Sequence, residues 1–342
     1  MQTEIEPRFQ ESADGILEGA PVVYLILYVH DLAESRDFYE RRLGLKVIEA
    51  DESSVKYDVG RLMLCLNRAS DYGVTLTARR DDASDIVFLV DDINATRQAL
   101  EERGVVFARR HTYMIGLVTD FYDPNGHRIM LYQPSLEALS WPSAAKIREV
   151  WRLCGRGSSD LIGPAAYPPD EGQERGAPGL DGKPLVYMFM WVPDSAEALK
   201  FYRENLGLRE LERVSCSNPA CPYDEAAVVK YDGGGLLLST HHVHKAPVID
   251  DFGKIYPPRV LDPAQMKGIV PVFLVKDLAR TADRLSPYVT RIGNGRVRSQ
   301  IGEIFKFEAP TGQTFYLYEP SAEALLWPTG IRIEQLAAGQ GS

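Results

Sequence analysis

The sequence predicts an α+β fold made of two tandem copies of one domain, each copy being two βαβββ units curled into a cupped mixed sheet. Three observations predict it. Blocks of residues recur in the same order in the two halves, each block alternates strand-like with helix-like stretches, and a Gly- and Pro-rich segment divides the halves.

The recurring blocks are extensive. Val-Tyr-Leu-Ile-Leu-Tyr-Val at Val23 to Val29 precedes Asp31, Phe38-Tyr39 and Leu43-Gly44-Leu45. Val-Tyr-Met-Phe-Met-Trp-Val at Val186 to Val192 precedes Asp194, Phe201-Tyr202 and Leu206-Gly207-Leu208. Lys56-Tyr57-Asp58 returns as Lys230-Tyr231-Asp232, and Phe88-Leu89-Val90 as Phe273-Leu274-Val275. Ser135, Glu137-Ala138-Leu139 and Trp141-Pro142 return as Ser321, Glu323-Ala324-Leu325 and Trp327-Pro328. The spacing between matched blocks widens along the chain, so the second copy carries insertions, mostly after its second strand and from Lys245 to Gln265.

Each copy follows one order of elements. A run rich in β-branched and aromatic residues, Val22 to Val29, reads as a strand. Asp31, and Asp194 or Ser195 in the second copy, supply the oxygen that caps a helix start. Gly44 and Gly207 end those helices, because the left-handed residue after a helix is cheapest as glycine. Strands follow at 46–50, 55–59 and 62–66. The pattern restarts with a strand at Ile86 to Val90, a helix from Ile93 to Arg103 stopped by Gly104, and a last strand from Arg128 to Tyr132. The resulting division is an extension at 1–20, a first domain at 21–153, a linker at 154–183, a second domain at 184–336 and a tail at 337–342.

Bulk properties narrow the function. The chain of 342 residues carries a net charge of −10 without a basic cluster, so a nucleic-acid backbone would be repelled. No apolar run reaches membrane-spanning length and the acidic first 20 residues have no apolar core, so the expected compartment is the cytoplasm. The four cysteines are too few to staple a chain of this size. The expected partner is a small molecule, and the chain a monomeric pseudo-dimer or a homodimer.

These residues resemble the vicinal oxygen chelate superfamily, which includes glyoxalase I, methylmalonyl-CoA epimerase, extradiol dioxygenases and the bleomycin-resistance proteins. The resemblance rests on strand-x-Asp-Leu-x-x-Ser-x-x-Phe-Tyr-x-x-x-Leu-Gly-Leu at Val29 to Leu45, on its counterpart at Val192 to Leu208, on the strand exits at Phe88 and Phe273, and on Asp-Pro-Asn-Gly-His before Arg128. It implies paired units cupped around a divalent metal, held by His from first strands and Glu from last strands. Here the first-strand positions hold Tyr24, Asp85, Tyr187 and Val270, and the last-strand positions Met130 and Tyr316. The inner strands offer Met63 or Cys65, and Leu237 or Ser239. Two alternatives stay open: a metal-free, tyrosine-lined cup, or a divalent metal held by displaced donors.

The candidate residues follow from that reading. Tyr24, Tyr187, Tyr316 and Met130 are candidate substrate contacts. Asp85 is a candidate metal ligand, with His241, His242 and His244, whose cluster and the Cys216 and Cys221 loop are expected at one end of the sheet, as a structural zinc would need, or as a solvated polar loop. Glu308 and Glu319 are candidate general bases if they face inward. His30 and His127 read as surface residues at element ends, and His111 begins a segment able to reach the cup. The resemblance implies an isomerase or epimerase working by proton transfer beside a carbonyl, with a cyclitol or sugar-like α-hydroxy ketone as the candidate substrate. Its alternatives are a non-catalytic binding protein of the antibiotic-resistance kind and a ring-cleaving dioxygenase, whose iron needs two His and a carboxylate.

Overall fold

The computed structural model describes residues 15–76, 81–113, 115–153, 179–215, 227–243, 248–249, 255–256, 261, 268–289 and 291–338. Most of the expected extension, linker and tail, together with His244, Cys154, Cys216 and Cys221, lies outside the described residues.

Four βαβββ units succeed one another. The first comprises β1 (Val22–Val29), α1 (Leu32–Arg36, continued by a π-helical turn to Arg42), β2 (Val47–Ala50), β3 (Ser54–Asp58) and β4 (Met63–Arg68). The second has β5 (Asp81–Leu89), α2 (Ile93–Glu101), β6 (Phe107–Tyr113), β7 (Gly116–Tyr122) and β8 (His127–Pro134), followed by α3 (Ala144–Leu153). The third has β9 (Leu185–Val192), α4 (Ser195–Leu199, continued to Asn205), β10 (Glu210–Val214), β11 (Val228–Asp232) and β12 (Leu237–His242). A short hairpin, β13 (Val248–Ile249) and β14 (Ile255–Tyr256), leads to the fourth: β15 (Ile269–Leu274), α5 (Leu278–Leu285), β16 (Arg291–Ser299), β17 (Gly302–Glu308) and β18 (Thr314–Pro320), then α6 (Pro328–Ala338).

Every unit begins its helix with the same device. Asp31, Asp92, Asp194 and Asp277 each accept backbone N–H bonds from the first helical turn, at 2.7 to 3.0 Å. These bonds satisfy donors the helix itself leaves open, for about 1 kcal/mol each. Gly44 and Gly207 take φ of 81° and 71° at the helix ends, where a side chain would be strained.

The units form two eight-stranded mixed sheets, ordered β16-β17-β18-β15-β1-β4-β3-β2 and β10-β11-β12-β9-β5-β8-β7-β6. The fold class is therefore the expected one, two cupped sheets of two βαβββ units each. The assignment of units to cups corrects the expectation that each copy builds its own. The first unit joins the fourth through antiparallel β1 and β15, with Ile26 opposite Val270, and the second joins the third through β5 and β9, with Asp85 opposite Phe189. Each cup is shared between copies. Each first strand carries an apolar run and needs a partner along its open edge, and the partner comes from the other repeat.

The helix-bearing faces of the two sheets share one central core containing Leu27, Phe88, Met190, Tyr202, Phe273 and Phe315. The opposite, concave faces hold separate clusters. One gathers Val87, Met130, Tyr132 and Tyr187 beneath Ile147, Val150 and Trp151 of α3, and the other gathers Tyr28, Met63 and Tyr318 beneath Ile333 and Leu336 of α6. Among the described residues, no helix is long and apolar enough to cross a membrane.

Candidate functional site

Strand alternation decides what each cup contains. In the cup of the second and third units, Asp85 lies one step along β5 from the core residue Ile86 and so faces the concave side with Val87 and Leu89. Parallel pairing sets Arg128 on β8 beside it. Antiparallel pairing then sets Asp120 opposite Met130 and Arg109 opposite Asp120. Across β9 stand Trp191 and, next to it on β12, His241.

These side chains form one buried charged network. Asp120 Oδ2 accepts from Arg109 Nε at 2.6 Å, from Arg128 Nε at 2.7 Å and from a second Arg128 nitrogen. Asp85 Oδ2 accepts from Trp191 Nε1 at 2.8 Å and lies 3.4 Å from Arg128 Nη1. Asp85 is 0%, Asp120 1% and Arg128 3% exposed, so two carboxylates and two guanidiniums are balanced in a dry space, the condition under which buried charges are tolerated. Asp120 Oδ1 has no hydrogen-bond partner among the described residues. Burial pushes the Asp85 carboxyl up to about 7, against the Trp191 hydrogen bond and the charges of Arg109 and His241. Burial also pushes Asp120 up to about 6, and the Asp85 charge adds to that rise. His241 is half-buried, stacked 4.3 Å from Phe189 and 5.0 Å from Trp191 by ring centroids, with Nε2 3.0 Å from Ser239 Oγ. Phe189, Trp191 and His241 make the half-exposed wall of this cup.

The cup of the first and fourth units carries different side chains at the equivalent points. Val270 stands for Asp85, Thr314 for Arg128, Lys306 for Asp120 and Asn67 for His241. Its lining is phenolic. Tyr28 and Tyr316 share a 2.6 Å hydroxyl contact, and Tyr24 and Tyr318 lie 6.1 Å apart by ring centroids. Burial raises the phenols of Tyr24, Tyr28 and Tyr316, so they stay neutral, and it pushes the Cys65 thiol up to about 12.

The sequence-derived candidates are distributed unevenly. Tyr187 and Met130 lie in the apolar floor under α3, Tyr24 and Tyr316 on the wall of the other cup, and Asp85 at the centre of the charged network. Glu308 is half-buried at the end of β17, on the same side as Lys306. Glu319 faces away from the cup: its Oε2 accepts the Leu278 N–H at 2.7 Å and holds the start of α5, as Gln133 does for Ile93 of α2 at 3.1 Å. It is occupied by a helix terminus and is not available as a base in the cup. β12 runs through His242, so His241 and His242 point to opposite faces of one sheet and do not converge on one ion. Their expected companion His244 lies outside the described residues. His127 is buried rather than superficial, its Nε2 2.7 Å from the Tyr28 carbonyl oxygen, while His30 is exposed.

The donor set does not fit the divalent ion that the resemblance implies. Neutral phenols, a valine and a methionine occupy the ligand positions, and Asp85 is the single carboxylate among them, too few donors for such an ion. Among the described residues, no group of three or more His, Cys, Asp and Glu is placed to hold a metal. Sequence reading missed Arg109, Asp120, Arg128 and Trp191. The available signal was charge inside apolar strands, at Asp120 and Arg128, where an unpaired charge is costly.

Comparison with known proteins agrees with this architecture. No curated protein matches the sequence. Glyoxalase I from Zea mays is similar in structure, with TM-score 0.53 at 14% identity over 93% of this chain and 96% of that one. A point mutant of the same Zea mays enzyme gives 0.53 at 13% identity, over 93% and 95%. A putative dioxygenase from Bacillus subtilis gives 0.49 at 11% identity, over 90% and 87%. At its identity the likeness to the Zea mays enzyme concerns the fold alone. A sequence profile matches residues 22–131 and 185–317, and by that match the chain belongs to the Glyoxalase/Bleomycin resistance protein/Dioxygenase superfamily.

Proposed function

We propose that the protein is a small-molecule isomerase or epimerase that moves a proton beside a carbonyl, and that the cup of the second and third units carries the chemistry. The observation that supports it is Asp85, a fully buried carboxyl held near 7 beside a half-exposed wall of Phe189, Trp191 and His241. A carboxyl so tuned both accepts and returns a proton near neutral pH.

With an α-hydroxy ketone lying on the aromatic wall, the Asp85 carboxylate takes the α-hydrogen. The C–H electron pair moves into the carbonyl and gives an enediolate. Arg128, beside Asp85, offers positive charge to the developing oxyanion. Return of the proton to the other face of the same carbon inverts the centre, and return to the neighbouring carbon isomerises the substrate. His241, on the far side of β9, supplies a second proton carrier. A cyclitol or sugar-like ring suits the wall, because its C–H faces stack on aromatic rings while its hydroxyls meet the carboxylates.

The test is α-proton exchange. A panel of cyclic and open-chain α-hydroxy ketones is incubated in deuterated water with the protein, with and without added divalent metal, and followed by NMR. Exchange at the α-carbon that disappears in Asp85→Asn is expected, and no exchange across the panel sinks the reading.

A second reading applies to the other cup. Its neutral Tyr24, Tyr28 and Tyr316, with valine in place of Asp85, favour binding of a planar ligand without turnover. Saturable binding of an aromatic natural product that Tyr316→Ala weakens and Asp85→Asn leaves intact tests it.

A further inference from the structure

The two cups differ around Asp85 and Val270 and yet repeat one cluster. In the cup of the second and third units, Lys230 Nζ donates to Glu212 Oε1 at 2.5 Å and to Ser143 Oγ at 3.2 Å. It lies 5.3 Å from the centroid of Trp141 and 5.7 Å from that of Tyr187. The Ser143 N–H donates to Glu212 Oε2 at 3.1 Å. In the other cup Lys56 Nζ donates to Glu49 Oε1 at 2.5 Å, Thr329 Oγ1 donates to Glu49 Oε2 at 3.1 Å, and the Tyr24 phenol is hydrogen-bonded with Thr329. Register places Glu49 opposite Lys56 and Glu212 opposite Lys230 at matching points of the two sheets. Ser143 and Thr329 each follow a Trp-Pro pair and introduce α3 and α6, so the repeated Trp-Pro signal marks this cluster.

Each cluster joins different units. Glu212 and Lys230 belong to the third unit, whereas Ser143 and α3 trail from the second. Glu49 and Lys56 belong to the first, whereas Thr329 and α6 trail from the fourth. A second tie runs parallel: Lys146 of α3 reaches Asp232 at 3.3 Å, and Arg332 of α6 reaches Asp58 at 3.1 Å. An ammonium removed from water is costly unless it is closely partnered, yet it stands at the same point twice. Each point adjoins a first-strand tyrosine, Tyr24 or Tyr187, which the family resemblance makes a metal-ligand position.

We propose that Lys56 and Lys230 are built-in cations of the two cups, taking the structural place of the divalent ion whose His and Glu donors are missing from the ligand positions that the family resemblance implies. Lys230 binds both the sheet carboxylate of Glu212 and the Ser143 hydroxyl of the partner unit, and Lys56 holds Glu49, whose second oxygen accepts from Thr329 of the partner unit. Each thereby fastens the partner unit's helix across the cup. The inference is independent of the isomerase reading, because it concerns assembly of the cups and not turnover.

The test is local amide exchange in the full-length protein, followed by mass spectrometry. In Lys230→Met, exchange over Ala144–Leu153 is expected to accelerate about tenfold while Pro328–Ala338 keeps its protection, and Lys56→Met is expected to do the reverse. Should either variant fail to fold, Glu212→Gln and Glu49→Gln keep side-chain volume and are expected to loosen the same helices to a smaller degree. Zinc, nickel, manganese or magnesium added to the wild-type protein is expected to leave exchange over both helices unchanged, as is a chelator. Unaltered helix protection in the lysine and glutamate variants, or a divalent ion that slows exchange over α3 or α6, overturns the proposal.

Discussion

The cup of the second and third units and the cup of the first and fourth are built on the same strands in the same order, and they have drifted to opposite chemistries. One holds two carboxylates, two guanidiniums, an imidazole and an indole. Both hold a tyrosine pair, Tyr132 with Tyr187 and Tyr318 with Tyr24, and the second cup adds the Tyr28 and Tyr316 phenols, a valine and a buried thiol. What both keep is the lysine–glutamate cluster under the capping helix. The residues that fasten the capping helices thus match in the two cups while those around Asp85 and Val270 differ, and one scaffold tolerates two unlike linings.

The sharpest way to break this comparison is to remove the group that only one cup has. Asp85→Asn keeps shape and hydrogen bonding to Trp191 but cannot take a proton. The α-proton exchange rate is expected to fall by about 10²–10⁴-fold. Val270→Ala, at the equivalent point of the other cup, is expected to leave exchange unchanged and to cost only stability, about 1–2 kcal/mol in urea unfolding. Equal loss of exchange in both variants would place the chemistry elsewhere.

Next in size is the charge balance. Arg128→Met leaves Asp120 and Asp85 with less compensation in a dry site, and removing one partner of a buried pair costs about 3–5 kcal/mol. Thr314→Val, its counterpart, is expected to be nearly neutral, since Thr314 Oγ1 has no hydrogen-bond partner among the described residues. Chemical denaturation of the two variants measures the contrast directly.

The same carboxyl sets a pH dependence. Asp85 is raised to about 7 when folded, against about 3.9 for an unfolded aspartate. Between those values the folded state binds more protons than the unfolded one, so Asp85 makes stability fall as pH rises from about 4 to about 7, with no further contribution above. Asp120, raised to about 6, acts in the same direction over a narrower window. On the proposed reaction, α-proton exchange is expected to run the other way, rising through pH about 7 as the carboxylate forms. Asp85→Asn is expected to flatten the stability curve, and an unchanged slope would count against the raised carboxyl.

How much of this was legible in the sequence follows from what a local pattern encodes. The capping aspartates, the stopping glycines and the duplicated blocks are local, and they specify four units without ambiguity. Which unit pairs with which is not local, because each first strand carries an apolar run that does not by itself specify the edge it closes. The network around Asp85 joins residues from β5, β6, β7, β8 and β9, so it exists only once register is set. The orientation of Glu319 was in reach: counting by twos from Tyr316 and Tyr318 puts it on the helix-bearing face. His241 and His242 separate for the same reason once the strand extends through both. Trp-Pro before Ser143 and Thr329 was visible as a repeat, but its meaning required the glutamate and lysine of another unit.

The smallest expected effect tests the neutral cup. Tyr28→Phe removes one half of the 2.6 Å hydroxyl pair and leaves the Tyr316 oxygen short of a partner. Burial disfavours ionisation of both phenols, so the contact is an ordinary neutral hydrogen bond worth about 1 kcal/mol. A loss of that size in thermal unfolding, with α-proton exchange intact, is expected, because the pair lies in the cup that has valine where the other has Asp85. A Tyr28→Phe variant that retained full stability but lost exchange would instead tie this phenol pair to the reaction and erase the division of labour between the cups.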